Sequence, residues 1–263
     1  NIDPDDVLRK ISKKTKAIMA VDIFGHPCNI SELKKISKKY KIKLITDSAQ
    51  SPYSFYKKKI AGTISDVGGI SLNYHKHIHT GEGGVIFTNS DKIAKRINLI
   101  RNHAESVVRS NKVENLSNMI GYNFRLGEIE SAIGIQQLKK LKKEKKKKQK
   151  ICQLLTKNLS KLSSLFLPKV LKGYTHSYYI YGINLDLQNI KYSREYIINK
   201  LTSEGVPGLS AGYTCLHLLP MFQKKIAYGS KGFPWNSSFN KRNISYKKGI
   251  CPNAEYLHEK SFI

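Results

Sequence analysis

Lys76 stands in Ser71-Leu72-Asn73-Tyr74-His75-Lys76-His77-Ile78-His79-Thr80-Gly81-Glu82-Gly83-Gly84, where a short apolar stretch turns polar just ahead of a glycine-rich turn. An amine delivered there from a strand end can be desolvated, which makes it a nucleophile toward an aldehyde and a former of Schiff bases. A carboxylate that could work with it is Asp47, in Asp47-Ser48-Ala49-Gln50, directly after an apolar stretch. Ligands of open parallel sheets bind beyond the carboxyl ends of the strands. Taken alone, an aspartate in that place also suits a turn or a helix cap. Beside a Schiff-base lysine it becomes the group that keeps a pyridine-type ring nitrogen protonated in an electron-sink cofactor. Ser71 is placed to donate to a phosphate, although an ordinary strand serine would look the same, and a tight hairpin would use the glycines of Gly81-Glu82-Gly83-Gly84 equally well.

The surrounding sequence predicts the elements that would position these groups. Asp3-Pro4-Asp5-Asp6 opens a short helix carrying Val7, Leu8 and Ile11. Ala17 to Phe24 is nearly continuous apolar, as in a strand buried on both faces. Residues 29–40 form an amphipathic helix and 42–47 a second strand, so strand, helix and strand make one crossover unit of a parallel sheet with Asp47 at its exit. Strands over 67–73 and 85–88 flank the Lys76 loop, a helix spans 91–101, and Gly62 and Gly68-Gly69 mark close backbone approaches. Apolar residues at helical spacing from Leu126 to Leu162 predict one long helix leading out of the sheet domain. After Pro168, Tyr178 to Leu185 alternates like a strand and 194–204 is helical. The expected architecture is α/β: a large, mostly parallel sheet domain over 1–138, then a linker helix and a smaller α+β domain over 139–263.

Composition narrows the function classes. The 263 residues carry a net charge of +27, of which residues 139–150, with nine lysines and one glutamate, supply +8. No aromatic residue interrupts that run to stack on bases, so it reads as a solvated helix face and nucleic acid as an unlikely partner. Four dispersed cysteines in no C-x-x-C pair indicate neither a zinc site nor a disulfide framework. No membrane span and no export leader is read, and a reducing cytoplasm is expected. His75, His77 and His79 alternate around Lys76, but no Asp, Glu or Cys completes a ligand set, so no metal is expected.

Taken in order, Asp47-x-x-Gln50, Ser71 five residues before Lys76, Gly81-Glu82-Gly83-Gly84 and Gly121-Tyr122-Asn123-Phe124-Arg125-Leu126 resemble the DegT/DnrJ/EryC1/StrS family of pyridoxal-phosphate sugar aminotransferases. The likeness covers almost the whole chain. It implies fold type I of the pyridoxal 5'-phosphate (PLP) transferases, with Lys76 linked to the cofactor and moving the proton between cofactor and substrate carbons. It implies Asp47 on the pyridine nitrogen, Gln50 near the ring and its phenolic oxygen, and Ser71 on the phosphate. It also implies that Asn123 reaches the phosphate from a partner subunit, in a homodimer with shared sites. His217 and Arg125 are the candidate sugar contacts. The implied reaction moves nitrogen from an amino-acid donor, glutamate or glutamine, to a nucleotide-linked keto sugar for surface polysaccharide or glycan biosynthesis.

Both ends read as cut, with the sheet domain lacking its N-terminal part, including a small-residue turn that contributes donors to the phosphate, and the small domain lacking its end. The alternative within the family is a cofactor-dependent sugar dehydratase, whose members carry histidine in place of the lysine. The alternative outside it is a basic polyanion-binding protein on an inactive scaffold.

Overall fold

The computed structural model describes residues 1–104, 119–240 and 243–263, and the chain divides into two compact units. The first comprises Asn1–Leu154 and Lys169–Tyr181. Its centre is a four-stranded sheet in the order β1-β2-β5-β6, formed by β1 (Ala17–Val21), β2 (Lys43–Asp47), β5 (Val67–Ser71) and β6 (Gly84–Phe87). β1, β2 and β5 run parallel and β6 is antiparallel to β5. Two short strands, β3 (Phe55–Tyr56) and β4 (Lys59–Ile60), make a separate antiparallel pair.

Helix α1 (Pro4–Lys10) starts where Asp3 accepts from the Asp5 amide and Pro4 fixes the first helical φ. Helix α2 (Ile30–Tyr40) buries Ile30, Leu33 and Ile36, each three residues apart, and stops at Lys41, whose φ of 53° lies in the left-handed region. These side chains join Ile18, Ala20, Cys28 and Leu44 in the core, each large aliphatic contributing about 1.5–3 kcal/mol by leaving water. β1 was expected to be buried on both faces; it is packed on one. Ile18 and Ala20 point into that core while Met19 stays 62% exposed, because among the described residues only one side of the strand is covered.

Helix α3 (Asp91–Arg101) is capped by the Ser90 hydroxyl, which accepts from the Ile93 amide. Helix α4 (Glu128–Leu159) is 32 residues long, belongs to the first unit as far as Leu154, and contains the expected boundary at 138/139 in its interior. Gly68 is obligatory, since a Cβ there would run into the backbone of Gly62. Tyr178 to Ile183, expected as a strand, is not one. Tyr178 has a φ of 53°, and the neighbouring amides bond to a turn: Ser177 N to Gly25 O and Tyr179 N to Phe24 O, each 2.9 Å.

The second unit, Leu155–Pro168 and Gly182–Ile263, pairs β7 (Leu165–Phe166) with β8 (Asn184–Leu185) and adds helices α5 (Arg194–Ser203), α6 (Pro220–Lys224) and α7 (Pro252–Tyr256). Arg194 is buried there, its guanidinium donating to the carbonyl of His258 at 2.7 Å and to Glu195 at 2.9 Å. Among the described residues no helix is long and apolar enough to cross a membrane.

Candidate active site

Asp47 is the last residue of β2, in register with Val21 on one side and Gly69 on the other. Its Oδ1 accepts from the Ala49 amide at 3.0 Å, which turns the chain and leaves Oδ2 open. The turn is braced from below by Ser48, wholly buried, which donates to Asp22 Oδ2 at 2.6 Å; Asp22 Oδ1 accepts from the Cys28 amide at 2.7 Å. Burial pushes the Asp22 carboxyl above its usual range against those hydrogen bonds.

Three residues past Asp47, Gln50 Oε1 accepts from the Phe24 amide at 2.7 Å. An amide N–H can only donate, so the oxygen is committed to the backbone and the side-chain NH2 is the end Gln50 presents to a ligand. Ser71 closes β5 two residues beyond Gly69, the partner of Asp47. Its Oγ accepts from the Asn73 amide at 3.1 Å, keeping the hydroxyl proton available for donation.

Lys76 follows in a turn tied at several points. Its amide donates to Asn73 O at 3.0 Å; Asn73 Oδ1 accepts from the His75 amide at 3.3 Å, and Asn73 Nδ2 donates to Glu82 Oε1 at 2.5 Å. Leu72 closes the loop by accepting from Thr80 N and donating to Gly83 O, both at 2.9 Å. Lys76 Nζ lies 4.8 Å from the centroid of the Tyr179 ring, and no carboxylate is within ion-pair distance among the described residues. An ammonium over a ring face is held by about 0.5–2 kcal/mol, depending on its desolvation.

The structure thus brings Asp47, Gln50, Ser71 and Lys76 onto the exits of two adjacent strands and the turns that follow them. Arg125 lines a cavity of about 1350 Å³ together with Gly69, Glu82 and Arg101. Asn123 is exposed, bridged to Asn102, and its Oδ1 accepts from Arg125 Nε at 3.0 Å, while Arg125 also donates to Asn102 Oδ1 at 3.1 Å. The Asn123 amide NH2 has no hydrogen-bond partner among the described residues. His217 lies in the second unit, where its Nε2 sits 2.8 Å from Glu255 Oε1 with both side chains largely buried.

Sequence reasoning weighed His77 only as a metal ligand and passed over His176 and Lys145, which also shape this region. His77 Nε2 donates to the Ser177 carbonyl at 3.0 Å, and burial, reinforced by the Lys148 charge, lowers its pKa to about 4. His176, whose Nδ1 accepts from the Tyr178 amide at 2.8 Å, is lowered to about 3, chiefly by burial. Lys145 was counted within a solvated run, yet it is 5% exposed. Periodicity could have found it: Leu141, Lys145 and Cys152, the buried residues of α4, share one helical stripe.

Residues 1–249 match the model of the DegT/DnrJ/EryC1/StrS aminotransferase family. GDP-perosamine synthase of Vibrio cholerae is 31% identical over 252 residues, covering 95% of this chain and 66% of that protein. Among solved structures, S. venezuelae DesV in complex with a ketimine intermediate superposes with a TM-score of 0.80 at 19% identity, covering 99% of this chain and 62% of DesV. The E. coli GDP-4-keto-6-deoxy-D-mannose-3-dehydratase with bound hydrated PLP gives 0.68 at 27% identity, over 78% of this chain and 56% of that one. The chain spans less than two thirds of the length of each of these proteins.

Proposed function

Because the chain belongs to the DegT/DnrJ/EryC1/StrS aminotransferase family, we propose that it transfers an amino group to a keto sugar carried on a nucleotide, with pyridoxal 5'-phosphate as cofactor. The fold is that of the fold type I PLP enzymes. One observation carries the proposal: the four groups at the exits of β2 and β5 leave open the donor and acceptor ends that such a cofactor needs. The open Asp47 Oδ2 suits a protonated ring nitrogen, the Gln50 NH2 a phenolic oxygen, the Ser71 hydroxyl a phosphate, and the unpaired Lys76 amine an aldehyde.

When bound, the cofactor supplies an electron sink for the charge that builds up at a substrate carbon losing its proton. Asp47 supports that sink by holding a proton on the ring nitrogen. Gln50, its oxygen locked on Phe24, would hold the phenolic oxygen through its NH2. Lys76 acts twice, taking the proton from the α-carbon of the amino-acid donor, glutamate or glutamine, and later delivering one to the sugar carbon that receives nitrogen. Its presence at position 76 favours amino transfer over dehydration. The exposed Asn123, whose NH2 makes no bond among the described residues, supports a homodimer in which it completes a partner's phosphate site.

The test is chemical. Borohydride treatment of the cofactor-loaded protein should leave a pyridoxyl group on the peptide containing Lys76, and a glutamate-driven screen of nucleotide-linked keto sugars should give an amino sugar detectable by mass. Equal labelling of the Lys76→Ala variant would refute the assignment.

A further inference from the structure

Lys145 is the one lysine of the 139–150 run that is buried, and the groups its ammonium touches are uncharged. Nζ donates to the carbonyl of Tyr53 at 2.6 Å and to Thr175 Oγ1 at 3.3 Å, and lies 5.1 and 4.9 Å from the ring centroids of Tyr53 and Phe55. No carboxylate pairs with it among the described residues. Burying an ammonium without a counter-charge is costly, so its retention at this point calls for a return elsewhere.

The contacts mark where that return lies. Tyr53, held at a φ of 59°, is three residues past Gln50. Thr175 Oγ1 also accepts from the Phe55 amide, and Thr175 N donates to Phe55 O, each at 2.9 Å, so Lys145 caps a seam between residues 53–57 and 173–177. Beyond the seam, the second arm continues to Ser177, which holds His77, and to Tyr179, whose ring faces Lys76.

Resting on the function proposed above, we propose that Lys145 is a positioning residue: its ammonium pins the Tyr53 carbonyl and Thr175, and through these two arms sets Gln50 and the Tyr179 ring against Lys76. Desolvation lowers its pKa to about 8, as an amine held for its place, without ion pairing, should show.

Amide exchange of the unloaded protein and visible circular dichroism of the loaded protein test this in Lys145→Met, with Thr175→Val as a milder second variant and exposed Lys142→Met as control. In Lys145→Met the amides of Phe55, Lys57, Thr175 and Tyr179 should exchange about tenfold faster while those of β1 and β2 hold their rates. The pyridoxyl group should still be fixed on Lys76, but with about tenfold weaker cofactor binding and a reduced dichroic band, since small displacements of a positioned group are felt strongly. Thr175→Val should move the same readouts less, and Lys142→Met none of them. Should Lys145→Met fail to fold, Lys145→Gln takes its place, because Thr175→Val also removes the acceptor of the Phe55 amide. Exchange that rises equally everywhere, or arms that loosen with cofactor affinity and dichroism unchanged, overturns the proposal. Failure of the wild-type protein to fix the cofactor on Lys76 overturns the functional reading instead, leaving the exchange result to stand on its own.

Discussion

Two histidines drawn out of water, His176 buried and His77 half-buried, should make the first unit fall apart in mild acid, and His77→Gln isolates half of the effect. His77 and His176 hold folded pKa values of about 4 and about 3, against 6.5 for an unconstrained imidazole. The unfolded chain therefore takes up these protons first as the pH falls, so stability is present above about 6.5 and is lost progressively down to the folded values. A tenfold difference in proton affinity is worth about 1.4 kcal/mol. At about pH 5 each histidine has then cost about 2 kcal/mol relative to about pH 8, roughly 4 kcal/mol together, a large part of the stability of an ordinary domain. Glutamine at 77 keeps an NH2 donor for the Ser177 carbonyl, never charges, and gives up nothing at Nδ1, which has no partner. Urea unfolding of both proteins across this range should show the variant losing about 2 kcal/mol less. Asp22, raised by burial, acts in the opposite sense but equally in both proteins, so it cancels. Parallel stability curves for wild type and variant would show that His77 is not held neutral and that the reasoning fails.

Gly68→Ala should destabilise by about 3 kcal/mol or more, because a Cβ there meets the backbone of Gly62 and neither segment can give way; a shift of the urea midpoint at constant slope measures it, and a loss under about 1 kcal/mol would contradict the close approach. A thiol reagent should modify exposed Cys251 quickly in the native protein and reach Cys28, Cys152 and Cys215 only on unfolding, since all three are buried and burial pushes the Cys28 thiol upward in pKa. Rapid reaction of more than one thiol per chain would show that these interiors open readily.

The elements that set the catalytic groups were readable where local chemistry decides. The helix read over 91–101 is α3, capped by Ser90; the amphipathic pattern over 29–40 announced α2 and with it the parallel β1–β2 pair that ends at Asp47. What failed was long-range. Tyr178 to Leu185 alternates as a strand should, but only Asn184–Leu185 is one, while Tyr179 and Ile180 bond to the Phe24 carbonyl some 150 residues earlier, and no periodicity records such a pairing. The same distance hid the contact between Tyr179 and Lys76. Lys145 was hidden differently: eight neighbouring lysines made a count look like a face, while its position on the stripe of Leu141 and Cys152 was there to be read.

The backbone of Phe24 and Gly25 joins the side chains of Gln50, Ser54 and Ser177 and the amides of Ser177 and Tyr179. A Cβ at Gly25 would strike Ser177, and its φ of 102° suits glycine. Such a joint depends on the polar side chains of Gln50, Ser54 and Ser177 and is also sensitive to chain length. Inserting or deleting one residue there would change the geometry of both arms at once, which makes loop length at this turn the control by which the site can be retuned.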